Sequence, residues 1–590
     1  MASFLLNGQD WPTDPYPFKL TNLVIHVANA LLLGMLLLRL ERRLGSPAPI
    51  ASRSAWLGAA LWSLHPFLVS TVLYVVQREA MLAATCAFLA LHAWLTARDA
   101  FSQPGRRGIA WLYFGFGGAV LAGLGCKANA AVIPLLALAI DGVLPTPPSV
   151  AALAYRRHRF VVLVLPAAAL ILGLLWMALP PSSGTVLPER GWSIGQRLLT
   201  EPRVIGDYLA RLWFVQSPGG AFFHDQLTAS RSLLDPWQTA ACIALCAALI
   251  AVAFVVRRRA PALSIAILFY FAGHLLESTS VPLELYFEHR NYLPAALMFW
   301  PLARVVSRIP YAWARLVIPA LMAAFLAVAT WLQASLWADP LAQAEVWASL
   351  QPGSARAQAN AISTELSSGR LGRALLRADA ASAAFPNEPQ IAINRLDAHC
   401  AAGAATSHDV DFAATAFRTA LRDPGSLTTH YIESAIAALQ TSHCAALDAP
   451  AIGKLIEALG MNPKARALPG RRQDVVHLRG ALALRQGDVA TAESRFAEAL
   501  AEDPSPRVAL NEAALLGRAG QPGAGLRLLD RFDRMPPPKP LRPRDGIAWV
   551  RERTFVAQGF WTGELQAMRR SLRAAQETGG TGITPGVTLK

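Results

Sequence analysis

The chain has 590 residues, 54% of them apolar and 16% charged, and its mean hydropathy is +0.34. An average soluble protein is less apolar and more charged, so a wholly soluble protein is excluded. The net charge of +15 comes with no nucleic-acid motif and is read as the Arg bias of cytoplasmic loops, not as a nucleic-acid surface.

Apolar runs long enough to approach the thickness of a bilayer lie near 20–38, 56–76, 80–97, 110–126, 129–145, 159–180, 236–256, 261–278, 291–304 and 314–332. They predict about ten transmembrane helices within residues 1–332. Arg clusters fall at every second loop: Arg39, Arg42, Arg43 and Arg53, then Arg98, Arg106 and Arg107, then Arg156, Arg157 and Arg159. Arg257, Arg258 and Arg259 follow, then Arg304, Arg308 and Arg315. The positive-inside rule makes these loops cytoplasmic. The first 19 residues, Arg78 and Glu79, Lys127, the stretch 181–235, the loop 277–290 and everything after 333 then face outward. No cleavable signal peptide is visible at the start. His26, His65 and His92 lie within apolar runs and are read as helix–helix hydrogen-bonding residues.

Two outward loops concentrate chemistry. In the stretch 181–235, charges between Arg197 and Arg211 recur at helical spacing among Leu, Ile, Tyr208 and Trp213, which predicts a helix lying in the membrane interface. Residues 277–294 hold Glu277, Glu284, Glu288, His289, Arg290 and two Tyr between two apolar runs. In a helix, Glu284 and Glu288 would share a face. Guanidinium binds phosphate with two oxygens at once, so Arg290 is the leading phosphate ligand. The alternative is a solvated loop with an internal salt bridge.

From 333 to 578 the chain becomes alanine-rich with a period near 34 residues. Gly369, Gly403, Gly487 and Gly520 fall at equivalent places between paired helices, with Asn360, Asn394 and Asn511 nine residues before three of them. Gly480, Ala492, Phe496, Ala499 and Pro504 occupy the small, small, aromatic, small and terminating positions of a tetratricopeptide (TPR) repeat. The fold expected is therefore all-α, a polytopic bundle followed by a TPR-type solenoid, with a weaker pattern over 404–470 and a disordered tail at 579–590. Such arrays offer a concave surface to proteins or peptides. Cys400 and Cys444 lie in this half and are able to pair in an oxidising compartment. Cys86, Cys126, Cys242 and Cys246 lie in or beside apolar runs. No metal-ligand spacing, P-loop or nucleophile triad is present.

Pro17-Phe-Lys-Leu-Thr-Asn22-Leu-Val-Ile-His26, Leu64-His65-Pro66, Gln77-Arg78-Glu79, Lys127 and Glu288-His-Arg-Asn-Tyr-Leu-Pro294 together resemble the transmembrane-and-TPR protein family. Its members look like GT-C-class glycosyltransferases; the eukaryotic ones are protein O-mannosyltransferases, and bacterial relatives are mostly of unassigned substrate. The resemblance implies a GT-C-like domain over 1–332 that moves a sugar from a polyprenyl-phosphate donor to a protein, with inversion and without a further cofactor. It places the protein in a bacterial inner membrane, with the TPR domain of 333–578 periplasmic. Arg290, oriented by Glu288, His289 and Glu284, would hold the donor phosphate, with Lys127 and Arg203 as second cations and Arg78 as a further one. The partners implied are membrane lipid, the lipid-linked sugar and a protein bound by the array. In the GT-C class the catalytic acid sits in the first outward loop, and residues 1–7 match the end of that loop. Met1 is therefore expected to be an internal methionine and the catalytic residue to precede it, with Asp10 and Asp14 in the loop remnant. The alternative is a non-catalytic membrane-anchored TPR scaffold for envelope assembly.

Overall fold

Helices form within each of the ten apolar runs in the computed structural model, which describes residues 2–8, 13–101, 105–145, 155–179, 184, 186–187, 190–215, 222–423, 425–441, 444–536, 541 and 547–578. The tail 579–590, Asp10 and parts of the stretch 181–235 lie outside the described residues. Regular structure among the described residues is helical apart from one bridge between Val186 and Ser193. The chain divides into two compact units, Met1–Ser354 and Ala355–Lys590. The division falls later than the change of composition at 332/333, because the helix Pro340–Leu350 belongs with the first unit.

In the first unit we number the helices α1 (Tyr16–Arg43), α2 (Ala48–Ser63), α3 (Val75–Ala100), α4 (Arg107–Cys126), α5 (Ala128–Asp141), α6 (Tyr155–Ala178), α7 (Ile194–Trp213), α8 (Gln238–Val256), α9 (Pro261–His274), α10 (Pro294–Val306), α11 (Ala314–Leu336) and α12 (Pro340–Leu350). Six of these, α1, α3, α4, α6, α8 and α11, are long and apolar enough to cross a membrane. A seventh span exists if α2 and the helix Pro66–Leu73, bent by 52° at the break, count as one. The bend has a local cause: Pro66 disfavours helical backbone at the residue before it, and His65 is extended at φ −77°, ψ 123°.

The expected count of ten spans is thus corrected. Helices α5, α9 and α10 are only 10–17 residues long and rise at most about 26 Å, short of a ~30 Å hydrocarbon core. The apolar run of α10 is explained by protein burial, since residues 291–300 are all buried. The long helices instead expose Phe114, Leu121, Trp176, Val255 and Leu316, as lipid-facing surfaces do. The three intramembrane histidines join helices. His26 meets Tyr292 Oη (2.8 Å) and the Ser63 carbonyl, His65 meets the Leu212 carbonyl (3.0 Å), and His92 meets that of Leu32 (3.0 Å).

Charge separates the two ends of this bundle. At one end Arg43 pairs with Asp99, Arg304 with Glu41, and Arg98 and Arg159 with Asp141. These join the ends of α1, α3, α5, α6 and α10, so the Arg-rich loops share one end. At the other end lie Arg78, Lys127, Arg197, Glu277 and Arg290.

The second unit is a solenoid of short helices with three successive apolar cores, around Ile362, Phe417 and Phe496. Gly369, Gly403, Gly487 and Gly520 each sit just past a helix with φ of 74°, 65°, 85° and 76°, the left-handed conformation that glycine adopts without a Cβ penalty. Gly559, with φ 61°, does the same and lies outside the sequence pattern. Gly480 permits close approach, because a Cβ there would lie 2.6 Å from the Phe496 ring. Ala492, Phe496 and Ala499 are fully buried, and Pro504 follows the end of the helix Val489–Glu502. The shared asparagine position is not used alike. Asn394 Nδ2 donates to the Ala359 carbonyl at 2.6 Å, whereas Asn360 is half-buried and Asn511 exposed. The weaker stretch forms helices too, Ser407–Thr419, Leu427–Ala438, Ala449–Met461 and Pro463–Ala467. Cys400 and Cys444 form a disulfide with Cα atoms 4.9 Å apart.

Candidate functional site

The mixed-charge end is built by α7 and by the irregular chain between α9 and α10. Ser193 and Gln196 start α7 with reciprocal side-chain to backbone hydrogen bonds of 3.2 and 2.9 Å, the capping-box arrangement. The helix forms as expected, with one face packed inward. Ile194, Arg197, Glu201, Val204, Ile205, Tyr208 and Leu212 face the bundle, so two charges are turned inward.

Arg197, fully buried, acts as a strut for the irregular segment. Its guanidinium donates to the carbonyls of Glu277, Thr279, Leu283 and Glu284 at 2.5–3.0 Å. It also pairs with Glu201 at 2.6 Å. Glu201 is not among the candidate residues read from the sequence; its carboxyl is pushed up to about 7 by burial against the opposing pull of Arg197 and Arg290. The signal available was the i,i+4 spacing of Arg197 and Glu201 in an amphipathic helix.

The segment 277–294 is not the helix that would align Glu284 with Glu288. Turns and extended chain run from 275 to 287, and only Glu288–Asn291 forms a single 3-10 turn. The carboxylates therefore diverge. Glu284 pairs with Arg190 at 2.7 Å, and Glu288 accepts from Ser70 Oγ at 2.6 Å. Arg290 is only 3% exposed and donates to the carbonyls of Leu285 (3.0 Å) and Glu284, with Glu201 at 3.9 Å. Its orienting carboxylate is thus Glu201, and neither Glu288 nor Glu284 pairs with its guanidinium. Burial, Lys127 and Arg290 push the His289 imidazole well below its usual pKa.

The remaining cations are dispersed. Lys127 lies between Glu277 (3.3 Å) and Glu79 (3.8 Å). Arg78, buried, donates to Asn22 Oδ1 and to the carbonyls of Ser3 and Phe18 at 2.8–3.0 Å. It tethers the N-terminal segment to α1. Arg203 binds the Thr228 carbonyl and Ser230 Oγ, apart from the others.

The short motifs nevertheless converge. Asn22 meets Arg78, and His26 meets Tyr292; Trp62 Nε1 donates to the Tyr292 carbonyl at 3.1 Å. Lys127 meets Glu79, and Ser70 meets Glu288. A cavity of about 10 Å³, room for about one water molecule, opens beside Ser70, Gln77, Glu288 and His289. Burial pushes the Glu288 carboxyl up to about 7 there, with the Ser70 hydrogen bond opposing. A carboxyl poised near neutrality beside a water-sized cavity is chemically suited to acid–base work. Among the described residues, no group of His, Cys, Asp and Glu is arranged to hold a metal. No protein-family model, curated protein or solved structure matches the chain.

Proposed function

We propose that the protein is a membrane glycosyltransferase that moves a sugar from a polyprenyl-phosphate donor to a protein on the outer face of a bacterial inner membrane. One observation carries the reading. Motifs scattered from Asn22 to Pro294 meet at the mixed-charge end of the bundle. Polar and ionisable groups at such depth are costly and mark functional sites. The Arg-rich end is cytoplasmic by the positive-inside rule, so the converging end faces outward. The chain leaves the bundle at that end, where Lys19 Nζ bonds the Trp337 carbonyl. The Cys400–Cys444 disulfide fits an oxidising periplasm on the same side, where the solenoid would act as a TPR array that presents acceptor protein.

Within this reading Lys127 meets the donor phosphate. Among the described residues its ammonium pairs with two carboxylates, whereas the Arg290 guanidinium is committed to carbonyls and positions the loop. Membranes containing the protein, a radiolabelled polyprenyl-phosphate sugar and envelope proteins should yield labelled protein. Lys127→Ala should abolish transfer with some loss of thermal stability, because it unpairs the buried Glu277, and Arg290→Lys should lower both. An impermeant thiol reagent should label a cysteine placed at 340 and not one at 105.

A second reading, a membrane-anchored scaffold, is favoured by the extent to which Arg290 and Arg197 are spent on backbone carbonyls. Absence of transfer from wild-type membranes, with proteins retained on the solenoid, would establish it.

A further inference from the structure

At the opposite, Arg-rich end of the bundle a cavity of about 530 Å³ lies among the ends of α3, α5, α6 and α8. Its floor is internally satisfied. Asp141 accepts from Arg98 Nε (3.1 Å), Arg159 Nε (2.5 Å) and Tyr155 Oη (3.0 Å). Its rim is not. Arg156, Arg257 and Arg258 line the same cavity, are exposed, and have no ion-pair or hydrogen-bond partner among the described residues. Five guanidiniums thus surround a space that holds one carboxylate.

Guanidinium binds phosphate oxygens in pairs, and five arginines against one aspartate leave the cavity lining net positive, which favours an anion. The neighbouring surface says which kind. On α6, Phe160 and Val161 follow the cavity residues and are 57% and 45% exposed; on α8, Phe254 and Val255 precede them at 55% and 79%. A ligand seated among the three free guanidiniums therefore has apolar surface directly beside it, at the level where spanning helices meet the headgroups. Free phosphate makes no use of that surface, whereas acyl chains do. We propose that this cavity is a binding site for the phosphate headgroup of an anionic glycerophospholipid, with its acyl chains along the exposed faces of α6 and α8. The site is separate from the transferase reading; it requires only that these helices span a bilayer. Basic pockets between helix ends suit such headgroups.

The test is native mass spectrometry of the full chain released from nanodiscs of phosphatidylcholine doped with cardiolipin or phosphatidylglycerol. The expected result is a retained anionic-lipid adduct that phosphatidylcholine does not give. Each of Arg156→Gln, Arg257→Gln and Arg258→Gln should weaken it about fivefold, and the triple variant about a hundredfold. A control variant carrying Arg106→Gln, Arg107→Gln and Arg308→Gln removes the same charge from exposed positions outside the cavity and should keep the adduct. The proposal is overturned if the control loses the adduct equally, which would mean diffuse attraction. It is equally overturned if the triple variant retains the adduct, or if inorganic phosphate at millimolar concentration displaces the lipid completely, which would mark a free-phosphate site. Thermal unfolding in detergent verifies that both triple variants are folded.

Discussion

The two units bury charge in different ways. In the membrane unit the deepest guanidiniums serve backbone carbonyls: Arg197 reaches four, and Arg78 and Arg290 two each. In the solenoid, buried charge is held by side chains of opposite sign. Arg377 binds both oxygens of the fully buried Glu365 at 2.8–3.1 Å, and His477 pairs with Glu512 at 2.6 Å and Glu433 at 3.5 Å. The difference follows from the backbone. Between α9 and α10 the chain is irregular yet enclosed by helices, so its carbonyls have no ladder partners and must find donors. In the solenoid the carbonyls are used within helices, and charges are free to pair across hairpins. An arginine in an enclosed loop is thus first a structural donor, as Arg290 is to the carbonyls of Leu285 and Glu284.

The comparison breaks most directly at Arg197. Arg197→Ala should destabilise the membrane unit by about 3–5 kcal/mol, since it leaves Glu201 and four carbonyls buried without their donor. Arg197→Lys should recover only part, because an ammonium cannot span those carbonyls. Full stability of the lysine variant in a detergent melt would show that charge, and not the guanidinium fork, is what counts.

Next in size is a pH effect at Glu288. A carboxyl whose folded pKa rises from 4.5 to about 7 costs nothing at pH 4, where both states are protonated. Between about 4.5 and 7 the unfolded state ionises and the folded state does not, so stability falls, by about 1.4 kcal/mol per pKa unit. Glu288→Gln should therefore melt higher than the parent at pH 8 and alike at pH 4. Parallel pH profiles for the two proteins would count against a buried, proton-holding carboxyl.

In the solenoid stability also falls as pH rises, but through the loss of a favourable charge pair. Burial alone would lower the His477 pKa, but Glu433 and Glu512 overcome it and raise it from 6.5 to about 10. Its stabilisation is fully present below pH 6.5 and is lost as pH rises toward 10. His477→Gln should cost about 1–3 kcal/mol at pH 6, with a smaller penalty at pH 10, read by circular dichroism melts of the full chain. A penalty that does not change with pH would mean that His477 packs as a neutral ring.

The smallest effect is steric. Gly480→Ala forces the Phe496 ring aside and should cost about 1–2 kcal/mol. A neutral result would show that the two helices of this hairpin separate freely.

Sequence alone determined what depends on local period and composition. Apolar runs became helices, the helix-ending glycines took positive φ, and Arg clusters fell on one end, because each property repeats along the chain and needs no distant partner. Tertiary structure decided which apolar runs are long enough to span, since burial in protein and burial in lipid select the same residues, as α10 shows. It also decided the partners at the mixed-charge end. Glu201 comes beneath Arg290 from 89 residues earlier in the chain, and Glu288 turns to Ser70 because residues 275–287 do not continue a helix. Spacing in sequence orders side chains only where the backbone is regular. In an enclosed irregular loop, the need to satisfy buried carbonyls sets the geometry, and that need appears only once the loop is folded against its neighbours.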